Sequence, residues 1–185
     1  MPVGENYQFG YEHRLYIGAN PLNGRPGDAG PPTSHYNTAS QWTSPFDQIR
    51  DLNVGGGENT VDITTRDEGR RGFTVEPIVT QTGQISFQIR WQASQQADLS
   101  DLDSAFKKLL TSWRSKASVS LLELDQPATS VGAQGLVGNF NITFNWNKPV
   151  QGVVVVDVNA RLVGFPDWVV AQDGTGNNFE VIENI

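Results

Sequence analysis

Two segments of the chain alternate regularly between apolar and polar side chains. The apolar positions of residues 84–92 and 139–147 are Ile85, Phe87, Ile89 and Trp91 in the first and Phe140, Ile142, Phe144 and Trp146 in the second. Because successive side chains of a strand point to opposite faces, this period of two predicts two strands with one buried face each. The other faces are polar and largely uncharged, which favours a sheet that packs on one side only.

Shorter patterns predict further strands on both sides of these two. They cover residues 14–18, 46–54, 60–66, 119–124 and 152–163. Between the second and third of them, Gly55, Gly56 and Gly57 predict a turn, because glycine tolerates backbone conformations that other residues avoid. The β-branched run at 152–163 is typical of a central strand.

One segment has the period of a helix. Its apolar stripe recurs at spacings of three and four residues and consists of Leu102, Ala105, Phe106, Leu109, Leu110 and Trp113. Ser100 followed by Asp103 predicts the N-terminal cap, and Lys107, Lys108 and Arg114 lie toward the negative end of the helix dipole. The order of strands, one helix at about 100–114, then strands predicts a mainly β domain, a β-sandwich or open barrel with a flanking helix.

Two segments lack either pattern. Residues 19–45 are rich in Gly, Pro, Asn, Ser and Thr, and such a long irregular connection within the single predicted domain, residues 1–170, is either a floppy surface loop or an arm that orders against a neighbour. Residues 171–185 follow a polar, Gly-rich linker and predict a C-terminal arm. Two interpretations stay open, a frayed terminus or docking against another subunit through the apolar residues Phe179, Val181, Ile182 and Ile185.

Composition excludes several classes of function. The 185 residues include no cysteine, which removes disulfides, thiolate metal sites and cysteine nucleophiles. The formal net charge of −7 argues against nucleic-acid binding as the main task, because binding to phosphates depends on Lys and Arg. We expect no secretory signal and no membrane anchoring, since no basic start precedes an apolar run and no apolar stretch approaches membrane length. A soluble protein made in a cytoplasm is the expectation.

No arrangement of residues indicates catalysis, a metal site or a cofactor. The two histidines, His13 and His35, do not have the spacing of a metal motif. The run of three glycines lacks the Lys and Ser/Thr of a phosphate-binding loop. Asp67 and Glu68 stand among arginines, so loop ion pairs explain them better than an acid–base pair. The sequence therefore predicts a protein that is not an enzyme.

The segment from Phe46 to Trp91 carries a resemblance to a known family. It contains the stretch Val-Asp-Ile-Thr-Thr-Arg at 61–66, then a charged loop with glycine, then the alternating strand at 84–92 that ends in an aromatic residue. This series, with the helix and the strand that follow, resembles the major tail tube proteins of long-tailed, siphovirus-like bacteriophages and phage-like particles. The resemblance covers about residues 46–163.

The resemblance implies a structural virion protein. Subunits of this family form rings, usually hexameric, whose strands join edge to edge and which stack into a hollow tube around a tape-measure protein. Tail-tip and terminator proteins are further expected partners, and DNA passes through the lumen without specific binding. Acidic side chains that face the lumen would repel phosphates. The expected location is the virion tail, assembled in the cytoplasm of a bacterial host.

The family resemblance also implies where rings contact each other. An extended loop between strands corresponds to a charged segment here, and it is the main expected inter-ring contact: Arg66, Asp67, Glu68, Arg70 and Arg71. The C-terminal arm from residue 172 is the second candidate. The segment 19–45, which is longer than the family norm, is the third.

Two alternatives remain at the level of sequence. A tube protein of a contractile or secretion-type injection machine shares the fold. A β-sandwich carbohydrate-binding module would use an aromatic platform, for which the candidates are Trp42, Trp91, Trp113, Trp146 and Trp168. Three of these tryptophans end apolar faces of strands or of the helix, so core packing explains them better.

Overall fold

The computed structural model of the protein describes residues 13–30, 32–42, 45–46, 49–60, 78–91, 104–147 and 154–182. These contain seven strands and one helix in chain order. Their bounds are β1 Arg14–Ile17, β2 Ile49–Thr60, β3 Ile78–Trp91, α1 Ser104–Ser115, β4 Val119–Leu124, β5 Gln134–Asn147, β6 Val154–Ala171 and β7 Phe179–Val181. The predicted mainly β fold with one flanking helix is confirmed for these residues.

All seven strands belong to one antiparallel sheet. Its order is β1-β4-β5-β6-β3-β2, and β7 pairs with β6 beside this path. The long strand β6 organises the sheet, because it pairs with β5 from Val155 to Val170 on one side. On its other side it pairs with β3 over Val154–Arg161 and then with β7 over Val169–Ala171.

The main core lies between the helix and one face of the sheet. Buried apolar residues of β3 and β5 come from the alternating positions that the sequence predicts, and they pack with residues of β6 and with Phe106 and Leu109 of α1. Ring contacts join the helix to the sheet, with the centroids of Phe106 and Phe144 6.2 Å apart in an edge-on arrangement. The apolar face of the strands and the apolar stripe of the helix thus form the two sides of the same core.

One end of the helix differs from its prediction, and the other falls partly outside the described residues. It begins at Ser104, and the predicted cap at Ser100 and Asp103 lies outside the described residues. At the other end Trp113, expected on the buried stripe, is 44% exposed. Its ring packs edge-on against Phe144 of the sheet, while nearly half of the residue stays in contact with solvent.

A second core lies at the other end of β5 and β6. The irregular segment before β2 contributes Leu22, Tyr36 and Trp42, which pack with Val137, Val169 and other residues of the sheet. Neither interpretation of this segment, a floppy loop or an arm held by a neighbour, describes these three side chains. They are buried within their own chain, where the sheet supplies an apolar surface that the segment covers.

Two strand boundaries are corrected by pairing. Gly55, Gly56 and Gly57 lie within β2 and pair with Gln84, Gly83 and Thr82, so the predicted turn is wrong. The partner strand β3 continues past these positions, and its hydrogen bonds hold the permissive glycines in extended structure. The rest of the strand predicted at 60–66 lies outside the described residues.

The β-branched run also predicts too short a strand. β6 continues through Phe165-Pro166, where the composition shift suggested an end, as far as Ala171. The pairing of β5 with β6 shifts register around Asn139, and Phe165 has a φ of 54°. This irregularity admits a proline, because a bulge does not require the missing N–H.

Candidate assembly surfaces

The face of the sheet opposite the main core is a ladder of polar side chains on β3, β6 and β5. We call it the amide face; it comprises Gln84, Ser86, Gln88, Asn141, Thr143, Asn145, Asp157, Asn159 and Arg161. The chain alternates in these strands, so these positions lie between the buried ones. One of the nine side chains is acidic and one basic, while Arg50 and Arg90 stand at positions of β2 and β3 that continue the same alternation.

Hydrogen bonds between neighbouring strands order the amide face. Gln88 Nε2 donates to Asp157 Oδ1 over 2.9 Å, and Gln84 Nε2 donates to Asn159 Oδ1 over 3.2 Å. Thr143 Oγ1 donates to the carbonyl oxygen of Asn159 over 3.2 Å. These bonds use part of the hydrogen-bonding capacity of the polar side chains within the sheet. Fewer donors and acceptors therefore remain for a ligand that passes along the face.

Both ends of this part of the sheet lack a strand partner among the described residues. β2 pairs with β3 on one side and is the last strand of the sheet on the other. β4 pairs with β5 only as far as Phe140, so β5 from Asn141 to Asn147 has β6 on one side and no strand on the other. Open strand edges present unpaired backbone groups and are templates for pairing with another chain.

The residues predicted for inter-ring contact fall mostly outside the described part of the chain. Arg66, Asp67, Glu68, Arg70 and Arg71 lie between β2 and β3, beyond the described residues, and so does Ile185. That prediction stays a prediction.

The predicted C-terminal arm is in part a strand of its own subunit. Phe179 is 2% exposed within this chain, and its backbone N–H and carbonyl both bond the side-chain amide of Asn37, over 2.7 Å and 2.9 Å. Phe179 is therefore not available to dock another subunit, because the second core and the irregular segment already enclose it. Val181 and Ile182 are half-buried and retain some surface.

The linker before this strand is an ordered turn. Asp173 accepts hydrogen bonds from the backbone N–H and hydroxyl of Thr175 and from the side chain of Asn178. These donors hold the pKa of the exposed Asp173 carboxyl below its usual range. Sequence reasoning identified the polar composition but not the Asx-type bonding that stabilises the turn.

Buried polar side chains connect the irregular segment to the sheet. Asn139 binds the backbone of Leu22 at both its N–H and its carbonyl, over 2.8 Å and 2.7 Å. Arg25 Nε donates to Asp167 Oδ2 over 2.6 Å, and its guanidinium stands 5.9 Å from the ring centroid of Phe165. The composition of this segment predicted its irregularity, but it held no signal for these long-range partners.

One carboxyl group has a notable environment. Glu123 on β4 is 2% exposed, and burial raises the pKa of its carboxyl, while the contact with His13, 2.6 Å from Nδ1 to Oε1, lowers it by less. His35 accepts a hydrogen bond from the backbone N–H of Asn37. Both histidines thus have structural partners. Across the described ranges, no group of three or more side chains of the metal-binding type occurs.

Three tryptophan side chains of the described residues contact other residues of their own chain. Trp42 is buried and donates its indole N–H to the carbonyl of Tyr36 over 2.9 Å. Trp113 and Trp146 both contact Phe144, on the helix side of the sheet. The side chain of Trp91 lies outside the described residues. These contacts within the chain argue against the carbohydrate-binding module. In the described part, no helix has the length and apolar character required to cross a membrane.

Comparison with solved structures identifies the fold. A chain in the tail of an empty gene transfer agent (GTA) particle, refined with C6 symmetry, superposes with a TM-score of 0.55 over 86% of this chain and 96% of its own, at 12% identity. A chain of the native GTA virion gives 0.56 over 88% and 98%, at 10% identity. The SPP1 tail tube gives 0.56 over 91% and 82%, at 11% identity. This is the tail tube fold.

The resemblance read from the sequence is therefore confirmed at the level of fold. No protein-family model and no curated protein matches the chain. In the tail tube fold, the surfaces to consider for assembly are the amide face and the two sheet edges that have no strand partner among the described residues. The three solved structures are described as tails and a virion and not as enzymes.

Proposed function

We propose that the protein is a structural subunit of a phage-type tail tube, in which copies join into rings and rings stack into a hollow tube. The observation that carries this proposal is the four-stranded part of the sheet, β2-β3-β6-β5, which has no further strand partner at either edge among the described residues. The known tail tubes that share the fold support it. Hexameric rings are proposed from the C6 symmetry of the GTA tail.

Strand direction allows such a ring to close. Every neighbouring pair in β2-β3-β6-β5 is antiparallel, so β2 and β5 of one subunit run in opposite directions. When β2 of the next copy adds to the open edge of β5, the antiparallel alternation continues without a break. The contact is head-to-tail, and a head-to-tail contact that closes gives a ring without leftover edges.

The amide face is the proposed wall of the lumen, through which DNA would move. Its side chains are almost all neutral, with Asp157 and Arg161 as the two charged ones. Amide and hydroxyl side chains give phosphates less to bind than a lining of Lys and Arg would. In this proposal low adhesion comes from the near-neutral amides, and the acidic lining expected from the net charge of −7 is not needed.

Stacking is assigned to the segment between β2 and β3, with Arg66, Asp67, Glu68, Arg70 and Arg71 as its charged residues. Contacts between loops of alternating sign would fix the register of successive rings. A tape-measure protein inside the tube and tail-tip and terminator proteins at its ends complete the proposed set of partners. The proposed location is the virion tail, assembled in the host cytoplasm.

Negative-stain electron microscopy beside light scattering tests the proposal on the purified protein. We expect rings or hollow tubes at high concentration, or after mixing with the tail-tip complex. Replacing the five charged loop residues by serine should leave rings but abolish stacking, while serine at exposed Glu180 serves as the charge control. A protein that stays monomeric even with its tail-tip complex would overturn the proposal. A sheath gene beside its own would assign the tube to a contractile machine.

A further inference from the structure

The exposed ring of Trp113 marks a groove at the end of α1. The ring is held edge-on to Phe144, with centroids 5.6 Å apart, yet 44% of the residue is exposed. The groove runs between the helix end and β5 and is lined by Trp113, Arg114, Lys116, Asn141 and Ile142. Trp and Arg are among the residues that dominate the binding energy of protein interfaces.

The groove lies at the open edge of β5. Asn141 and Ile142 are the first residues of β5 that β4 no longer pairs, because that ladder ends at Phe140. A chain that added to this edge as a strand would therefore pass directly beside Trp113. The position favours an occupant that is itself an extended strand.

The far edge of the same sheet offers a matching side chain. Val54 on β2 pairs with Ile85, Ile85 with Ala160, and Ala160 with Ile142, so these four residues form one row across the sheet. The other three residues of the row are buried, whereas Val54 is 40% exposed. The row is thus an apolar strip of the core face that ends at Val54 on one side and at the groove on the other.

Charge distinguishes the two ends of the row. The helix sequence from Ser104 to Ser115 contains no acidic residue, and Arg114 and Lys116 are exposed at the groove in a chain whose net charge is −7. On β2, Asp51 is exposed three positions before Val54. A second copy that presents β2 would bring an acidic side chain and an apolar one toward a basic and aromatic groove.

We propose that the Trp113 groove binds β2 of a second copy of this chain, with Val54 against Trp113 and Ile142 and with Asp51 toward Arg114 and Lys116. The inference rests on the proposed tube function and names the side chains that select the partner edge. Backbone hydrogen bonds between strands do not depend on sequence. An apolar groove filled by a side chain selects which strand pairs with this edge and sets the register of the pairing.

Crosslinking tests the contact directly, because the chain has no cysteine and any introduced thiol is unique. Val54→Cys and Asn141→Cys are made as separate variants, assembled alone or mixed, and treated with a short bismaleimide. In a head-to-tail contact we expect covalent dimers in the mixture and none with either variant alone. Val131→Cys, which is 69% exposed in the turn between β4 and β5, replaces Asn141→Cys as the control and should not crosslink.

Two substitutions at the exposed Val54 test how charge at this position affects ring assembly, and they leave the buried core residues unchanged. Val54→Lys brings a third cation to Arg114 and Lys116, so we expect the concentration needed for ring assembly to rise about tenfold or more above that of Val54→Glu. Trp113→Ala should raise that concentration about tenfold as well. Circular dichroism and urea unfolding verify that each variant is folded.

The outcomes distinguish this contact from the tube function. If tubes form while mixed Val54→Cys and Asn141→Cys give no dimer, the groove contact is overturned and the tube proposal stands. Equal assembly of the Lys and Glu variants would likewise overturn the groove. If neither assembly nor crosslinks occur with the tail-tip complex present, both proposals fail.

Discussion

The side chain of Leu162 occupies the space beside Gly138 where any other residue would place its β carbon. A β carbon at Gly138 would overlap Leu162 Cδ1 and would lie 3.0 Å from the carbonyl oxygen of Phe165. On the other side, a β carbon at Gly83 would lie 2.9 Å from Leu162 Cδ2. Two glycines on the strands next to β6 thus make room for one leucine, close to the bulge that bends β6.

Gly138→Ala should therefore destabilise the protein by about 1–3 kcal/mol, because the added methyl group meets both Leu162 and rigid backbone. Urea unfolding measures the loss. Gly55→Ala is the matched control, since no atom lies within 4 Å of its added β carbon; its effect should stay within about 0.5 kcal/mol. Adding Leu162→Ala to Gly138→Ala should recover part of the loss, and strict additivity of the two would contradict this packing account.

Asn139→Ala should cost about 1–3 kcal/mol for each of the two backbone groups of Leu22 that it leaves buried without a partner. Unfolding in urea gives the total, and hydrogen exchange at the Leu22 amide should accelerate. Asn141→Ala, two residues along the same strand but exposed, is the control. Equal stability of the two variants would show that water replaces the side-chain amide at Leu22.

Phe179→Ala should lower the free energy of unfolding of the isolated chain by about 3–5 kcal/mol, because the ring fills the second core. Val181→Ala, half-buried on the same short strand, should cost clearly less. Thermal and urea unfolding of unassembled protein provide the measurement. A loss that appears only in assembled material would restore Phe179 as a docking residue for a neighbour.

The buried carboxyl of Glu123 predicts a pH dependence of stability. Burial raises the pKa of Glu123 in the folded state, so the folded protein holds this proton more tightly than the unfolded chain does. The stabilisation from this group is complete below the ordinary pKa of the carboxyl and is lost as the pH rises through the folded pKa. Glu123→Gln removes this loss and keeps a partner for His13.

We therefore expect the difference in unfolding free energy, Glu123→Gln minus wild type, to increase from about pH 4 to about pH 7.5. Each unit by which the folded pKa exceeds the unfolded one contributes about 1.4 kcal/mol. Glu180→Gln, exposed on β7, should show no such trend. A difference that is independent of pH would mean that Glu123 is ionised equally easily in both states.

The strands of the main core were predictable because their signal is local. Alternation at 84–92 and 139–147 fixes which side chains face inward, and Ile85, Phe87, Phe140 and Ile142 are buried as it predicts. The amide face follows from the same alternation. The helix was predictable for an equally local reason, since its stripe needs only neighbours three and four residues away.

Strand ends and glycine positions were not predictable in this way. Gly55, Gly56 and Gly57 have turn propensity, and their place within β2 depends on a partner strand more than twenty residues later. The passage of β6 through Pro166 likewise depends on a register shift opposite Asn139. In both cases hydrogen bonds between distant segments override the local preference of the backbone.

What the sequence by itself determined is the mainly β class, the single helix of the described residues, the two inward-facing stripes and the resemblance to tail tube proteins. Only the tertiary structure decided that residues such as Leu22, Trp42 and Phe179 belong to a second core. It also decided that Val54 and the Trp113 groove lie at the two edges of the sheet that have no strand partner among the described residues. The periodicity of a strand records which face is buried, whereas pairing order is set by contacts between residues far apart in the chain, which leave no periodic trace.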